Sequence, residues 1–230
     1  MATYNRWVFT HYDPTYGGEL WITDGTSAGT ALMKDIWSGT DGSNPESLTS
    51  LGNSNAVFSA GDSTYNRELW ITDGTSAGTV MVKDIVTGSN GSYPRYITSL
   101  GNGKAIFSAH DVTTGYELWV TDGTSAGTVL VKDIAIGSDG STPWRFTSLG
   151  NGQAVFLAFE PTNGYELWVT DGTSAGTARL TDIYAGSNTS SIYIWSIPSL
   201  GNGKAVISAH DATNGRELWV TDGTSAGTVL

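Results

Sequence analysis

The chain has 230 residues, 22 of them acidic and 11 basic, for a formal net charge of −11, and it contains no cysteine. Such a charge excludes the Lys/Arg surface that phosphate binding needs, so neither nucleic acid nor anionic lipid is an expected partner. The absence of thiols excludes disulfides, thiolate metal sites and cysteine nucleophiles.

No apolar run reaches the ~18–20 residues of a membrane-spanning helix, so no membrane insertion is expected. Met1 to Thr10 carries no charged head followed by an apolar stretch, so no signal peptide is read in it. Thirty glycines beside nine tryptophans and ten tyrosines point to many short strands joined by tight turns.

One unit repeats from end to end. Glu-Leu-Trp recurs with its tryptophan at Trp21, Trp70, Trp119, Trp168 and Trp219, at spacings of 49, 49, 49 and 51. Each copy continues into Thr-Asp-Gly-Thr-Ser-Ala-Gly-Thr, as at Thr121–Thr128. The repeats run approximately over 1–47, 48–96, 97–145, 146–196 and 197–230, within a single domain covering 1–230.

Four strands per repeat are predicted. Val129–Ile134 closes one unit, and the next opens with a short strand at Phe146–Leu149, ending at the Gly150-Asn151-Gly152 hairpin signal. Ala154–Ala158 is almost continuously apolar. Glu166–Thr170 alternates, with Leu167 and Val169 on one face and Trp168 on the other. No stretch has helical periodicity with caps.

Small antiparallel sheets of this kind cannot bury two apolar faces alone, and packing them radially solves that. The expectation is an all-β, five-bladed β-propeller of four-stranded blades. Aligned on the tryptophans, the chain opens at the second strand of one blade and stops partway through the fourth strand of the last. One blade is therefore incomplete, its second strand starting near Arg6 with an unpaired edge, and either self-association there or low stability is expected.

The wording of the repeat resembles the ELWxxDGT repeats of bacterial, largely extracellular proteins. The resemblance rests on Glu-Leu-Trp at 19–21, 68–70, 117–119, 166–168 and 217–219, with Asp-Gly-Thr three residues further on. Lys132-Asp133-Ile134 matches the family's next element, and Thr181 departs from it. The resemblance implies an extracellular or cell-surface setting. The five-blade rhythm is also similar in architecture to the tachylectin-2 type of lectin.

Two sets of connections lie on opposite faces of such a disc. One set is monotonous, whereas the other varies, and variation on a repeated scaffold marks a binding surface. The variable set carries Trp37, Glu46, Arg95, Tyr96, Trp144, Arg145, Tyr193 and Trp195 in loops between blades. Its hairpins carry His110 with Asp111 and His210 with Asp211. Aromatic faces beside carboxylates and guanidinium groups suit sugars, and the competing reading is that these aromatics cover the ends of the blade core.

The five Glu-Leu-Trp glutamates read as one structural device repeated, since glycoside hydrolysis needs two carboxylates in unequal settings. The hairpin acids, Asp13, Asp62, Asp111, Glu160 and Asp211, read as turn caps, with Ca²⁺ binding as the alternative. No catalytic residue, resident metal or cofactor is assigned.

The favoured function is a non-enzymatic, lectin-like module binding a glycan or cell-surface polysaccharide in grooves between blades. One alternative is a structural or protein-interaction propeller, designed or cut from a longer array. The other is a propeller enzyme acting on glycans.

Overall fold

The computed structural model describes residues 6–64, 66–181, 197–211, 213 and 215–230. All regular elements among them are strands, gathered into five antiparallel sheets in chain order. The first holds β1 (Trp7–Asp13), β2 (Gly17–Thr23) and β3 (Ala31–Lys34). The second holds β4 (Glu46–Ser50), β5 (Ala56–Asp62), β6 (Asn66–Thr72) and β7 (Val80–Lys83). The third is built from β8 (Arg95–Ser99), β9 (Ala105–Asp111), β10 (Gly115–Thr121) and β11 (Val129–Lys132). The fourth takes β12 (Trp144–Ser148), β13 (Ala154–Glu160), β14 (Gly164–Thr170) and β15 (Ala178–Thr181). In the fifth, β16 (Ala205–Asp211) pairs with β17 (Gly215–Thr221), flanked by single bridges at Ser199–Ala205 and Val220–Val229.

The sequence pattern places the central hairpin strands correctly but too short. Pairing runs on to Glu160–Gly164 and its equivalents, because the acidic residue closes the turn through its own carboxylate. Thus Asp111 Oδ1 accepts from Thr113 N–H at 2.8 Å, and Asp13 and Asp62 do the same for Thr15 and Thr64 at 2.7 Å. The first strand of the chain has the second-strand place in its sheet, as expected.

Period-two alternation gives each sheet two distinct apolar faces. On the face towards the preceding sheet stand Phe58, Ala60 and Trp70, or their equivalents. On the face towards the following sheet stand Val57 and Leu69. Four clusters result, one per junction. The first joins Leu20 and Met33 to Phe58, Ala60 and Trp70. The next two join Val57, Leu69 and Val82 to Phe107, Ala109 and Trp119, then Ile106, Leu118 and Val131 to Phe156, Ala158 and Trp168. The last joins Val155, Leu167 and Leu180 to Ala205, Ile207 and Ala209. Each fully buried leucine or phenylalanine contributes about 1.5–3 kcal/mol through area removed from water.

Polar latches fix the spacing between sheets. Lys34, Lys83 and Lys132 each send Nζ to a carbonyl of the next sheet's Asp-Gly-Thr loop, at Thr79, Thr128 and Thr177, over 2.6–2.8 Å. At the fourth junction Thr181 stands where the lysine would be, and the Ser225 hydroxyl donates to the Leu180 carbonyl instead.

The glutamates are a second latch. Glu19, Glu68 and Glu117 are fully buried and each accepts both the backbone N–H and the hydroxyl of a serine 24 residues on. The same serines, Ser43, Ser92 and Ser141, offer their carbonyls to Gly61, His110 and Phe159 of the following sheet. A glycine must precede each serine. A Cβ on Gly140 would lie 2.4 Å from Tyr116 N, and its φ is +67°.

A candidate binding groove between the third and fourth blades

The serine latch sets where the variable loops run. After Ser92 and Ser141 the chain passes through a proline and enters the first strand of the next sheet through a β-bulge. The register shifts between Arg95 and Thr98, and again between Trp144 and Thr147. Within each bulge a non-glycine residue adopts a left-handed backbone: Tyr96 at φ 58° and Arg145 at 54°, with Ser47 at 58° in the second sheet. Tyr93 and Thr142, two residues before each strand, are also left-handed, at 47° and 42°. Such bulges re-aim side chains at the rims of sheets, and backbone strain of this kind gathers where function uses it.

Their effect is a groove of about 350 Å³ between the third and fourth blades, lined by Arg95, Tyr96, Tyr116, Thr142, Pro143, Trp144 and Tyr165. The Arg95 guanidinium lies 5.0 Å from the centre of the Tyr116 ring, close enough for a cation–π contact. His110 meets that ring edge-on at 5.3 Å. Across the groove Trp144 and Tyr165 form a T-shaped pair at 6.2 Å, and the Tyr165 hydroxyl is bonded to Thr142 Oγ1 at 2.9 Å. Arg145 stacks on Trp144 at 4.5 Å. Arg95 is exposed and makes no hydrogen bond or ion pair among the described residues, so its donors face solvent from a fixed platform.

Of the loop residues singled out in the sequence, Arg95, Tyr96 and Trp144 line one and the same groove. The reason is that consecutive first strands are neighbours, so equivalent positions of adjacent sheets face one space.

The other predicted residues are scattered. Trp37 is half-buried with its ring against Gly61, where it covers the core end of the second sheet. Glu46 belongs to a smaller hollow of about 260 Å³ with Thr10, His11, Tyr12, Gly18, Asn44 and Pro45. Arg67 folds over its own sheet and the loop that enters it, bonding Ser59 and the Asn44 carbonyl and approaching Glu46 at 3.9 Å. Asp111 is occupied as a hairpin cap. His210 pairs with Arg216 in the last hairpin. Tyr193 and Trp195 lie outside the described residues, as does the side chain of Asp211. Among the described residues no cluster of three His, Asp or Glu side chains is placed to hold a metal ion, the hairpin acids included.

Sequence reasoning missed Tyr116 and Tyr165 as groove walls and Thr142 as their anchor. A signal was available: Tyr-Glu-Leu-Trp in these two copies stands against Gly18, Arg67 and Arg216 in the others.

Comparison with solved structures places this architecture. Puromycin hydrolase superposes with a TM-score of 0.55 at 14% identity, over 93% of this chain and 33% of its own. TolB from Acinetobacter baumannii gives 0.53 at 12%, over 96% and 49%. Prolyl oligopeptidase B from Galerina marginata gives 0.56 at 11%, over 94% and 30%. The fold is a β-propeller.

The chain spans 30–49% of those proteins' lengths, and at such identities the likeness extends to the fold alone. No protein-family profile and no curated relative matches the chain, so the resemblance to ELWxxDGT repeats rests on the residues quoted above.

Proposed function

We propose that this chain is a non-catalytic binding propeller that holds carbohydrate in the groove between its third and fourth blades. The observation that carries the reading is the wall of Tyr96, Tyr116, Trp144 and Tyr165 set beside the solvent-facing guanidinium of Arg95. Sugar rings present apolar C–H faces that stack on aromatic planes, and hydroxyl edges that accept from a rigid fork of donors.

Hydrolysis fits this groove poorly. The similar hydrolases extend far beyond the shared region, and none of the seven residues lining the groove is a carboxylate, whereas glycoside cleavage uses two. An extracellular or cell-surface setting accords with a polysaccharide ligand and with the resemblance of the repeat.

The test is calorimetric titration against a panel of neutral and uronic-acid oligosaccharides. Binding with one site per chain is expected. Trp144→Ala should weaken it by about 1–3 kcal/mol, the range of a buried aromatic contact. Arg95→Ala should weaken the same site rather than remove a separate one. Absence of heat with every sugar would leave a structural or protein-interaction propeller as the better account.

A further inference from the structure

The four junctions inside the chain obey one rule: an aliphatic forward face receives the aromatic rear face of the next blade. The two ends of the array break it. On the forward face of the fifth blade Leu218 is 66% exposed and Leu200 51%, while Leu167 and Leu149 at the same places in the fourth blade are 0% exposed. Val206 and Val220 on that face are only half-buried.

On the rear face of the first blade Trp7 and His11 are exposed and Phe9 and Trp21 only partly covered. The corresponding Phe58, Phe107 and Phe156 are 0% exposed. His11 packs edge-on against Trp21 at 5.2 Å and tilts against Phe9 at 6.4 Å, which makes this rear face a continuous aromatic surface.

The finer fittings match as well. At three of the four internal junctions the glycine of the Asp-Gly-Thr turn sits over the previous blade's forward face, Gly74 at the first being the exception. Gly123 meets Ile71 and Leu51, Gly172 meets Val120 and Leu100, and Gly223 meets Leu149 and Val169. Leu200 and Val220 of the fifth are the very pair such a glycine covers. Each end therefore presents the half that the other lacks.

We infer that these two faces join one copy of this chain to a second: the Leu200–Leu218 face of one copy stacks on the Trp7–Phe9–Trp21 face of the next, head to tail, as a further blade junction. The occupant follows from the chain itself, because the same kind of forward face is covered four times over by the same kind of rear face. The contact is heterologous, so it either closes a ring of copies or propagates. It differs from the internal junctions in one respect. Trp7 and His11 stand where the other blades carry alanine, at Ala56 and Ala60, Ala105 and Ala109, and so on. The seam is consequently bulkier and more aromatic. It is predicted to be separable from the fold and from the groove, since neither face lines the space around Trp144.

Sedimentation equilibrium of the full chain over a wide concentration range tests this. The expected weight-average mass is at least twice that of one chain. Leu218→Asp should give monomers, and so should Trp7→Asp, each with the circular dichroism of the parent. Leu218→Ser serves as a milder variant should the aspartate perturb the blade. Mixing the two aspartate variants should restore association but stop it at one-to-one pairs, because one retains only a rear face and the other only a forward face. A parent chain that stays monomeric throughout, as it would if its own two ends met, overturns the inference. So does self-association of either aspartate variant alone.

Discussion

At the scale of single residues the repeat separates a working device from a stranded copy of it. Glu117 is buried and accepts from Ser141 N–H at 2.8 Å, Ser141 Oγ at 2.5 Å and Ala135 N–H at 3.0 Å. Removing the hydroxyl by Ser141→Ala leaves a buried carboxyl short of a donor, and should cost about 1–3 kcal/mol of unfolding free energy in a urea titration. Glu217 has the same sequence surroundings in Glu-Leu-Trp, yet it is exposed. Glu217→Gln should therefore change the unfolding free energy by no more than about 0.5 kcal/mol. A loss at Glu217 equal to that at Ser141 would mean that the glutamate acts through something other than this latch. The comparison also explains why one glutamate per blade is retained in a core that is otherwise apolar. It ties the loop leaving a blade to that blade's third strand, and the serine's carbonyl carries the tie to the next blade.

At the scale of elements, the lysine latch offers a substitution that should stabilise. Lys132 of β11 bonds the Thr177 carbonyl at 2.8 Å and also lies 5.6 Å from the centre of the Trp168 ring. Thr181 occupies the matching end of β15, and Thr228 the matching loop position. Thr181→Lys should bring an ammonium to the Thr228 carbonyl and raise stability by about 0.5–1.5 kcal/mol, whereas Lys132→Met should lower it by a similar amount. An unchanged melting temperature for both variants would rule the latch out as a source of stability. Elements of this kind were legible in the sequence because their causes are local. The strands follow from alternation, the turns from Asp-Gly and Asn-Gly, and the stacking from the repeat itself. The groove was less legible. Its walls depend on bulges whose left-handed residues are Tyr96 and Arg145 rather than glycine, so nothing in the composition marks the kink. Placing Arg95 beside Trp144, 49 positions away, requires knowing that adjacent first strands share a space. Trp37 illustrates the converse: it stands where other copies carry the buried Val86 and Ala135, and the absent side chain at Gly61 lets it lie down on the core.

For the whole molecule the acidic side chains set opposing limits on stability, and together they define its pH dependence. The turn aspartates Asp24, Asp73, Asp122 and Asp222 are held below the ordinary 3.8 by the hydroxyl and then the backbone N–H of the threonine two residues on. At Asp171 the Thr173 hydroxyl does most of the same work. Groups lowered on folding bind fewer protons in the native state, so their contribution is present above pH 3.8 and is lost as the pH falls. The latch glutamates act in the other direction. Burial raises Glu68 from 4.5 to about 7, against the pull of the Ser92 and Ile85 donors, and raises Glu117 as well. Their native state holds protons that the unfolded chain has released. For Glu68 that contribution is complete below pH 4.5 and is lost as the pH rises through about 7. A formal charge of −11 at pH 7 adds self-repulsion on the same side. Melting temperature should therefore peak in mildly acid solution, at roughly pH 4–5, and fall on both sides. Thermal melts at constant ionic strength from pH 3 to 9 would trace the curve. Glu68→Gln should lower the peak while flattening the limb between pH 5 and 8, because an amide has no proton to lose. A melting temperature that climbs steadily from pH 5 to 8 would contradict the assignment, and an unaltered limb in Glu68→Gln would shift it to the molecule's overall charge.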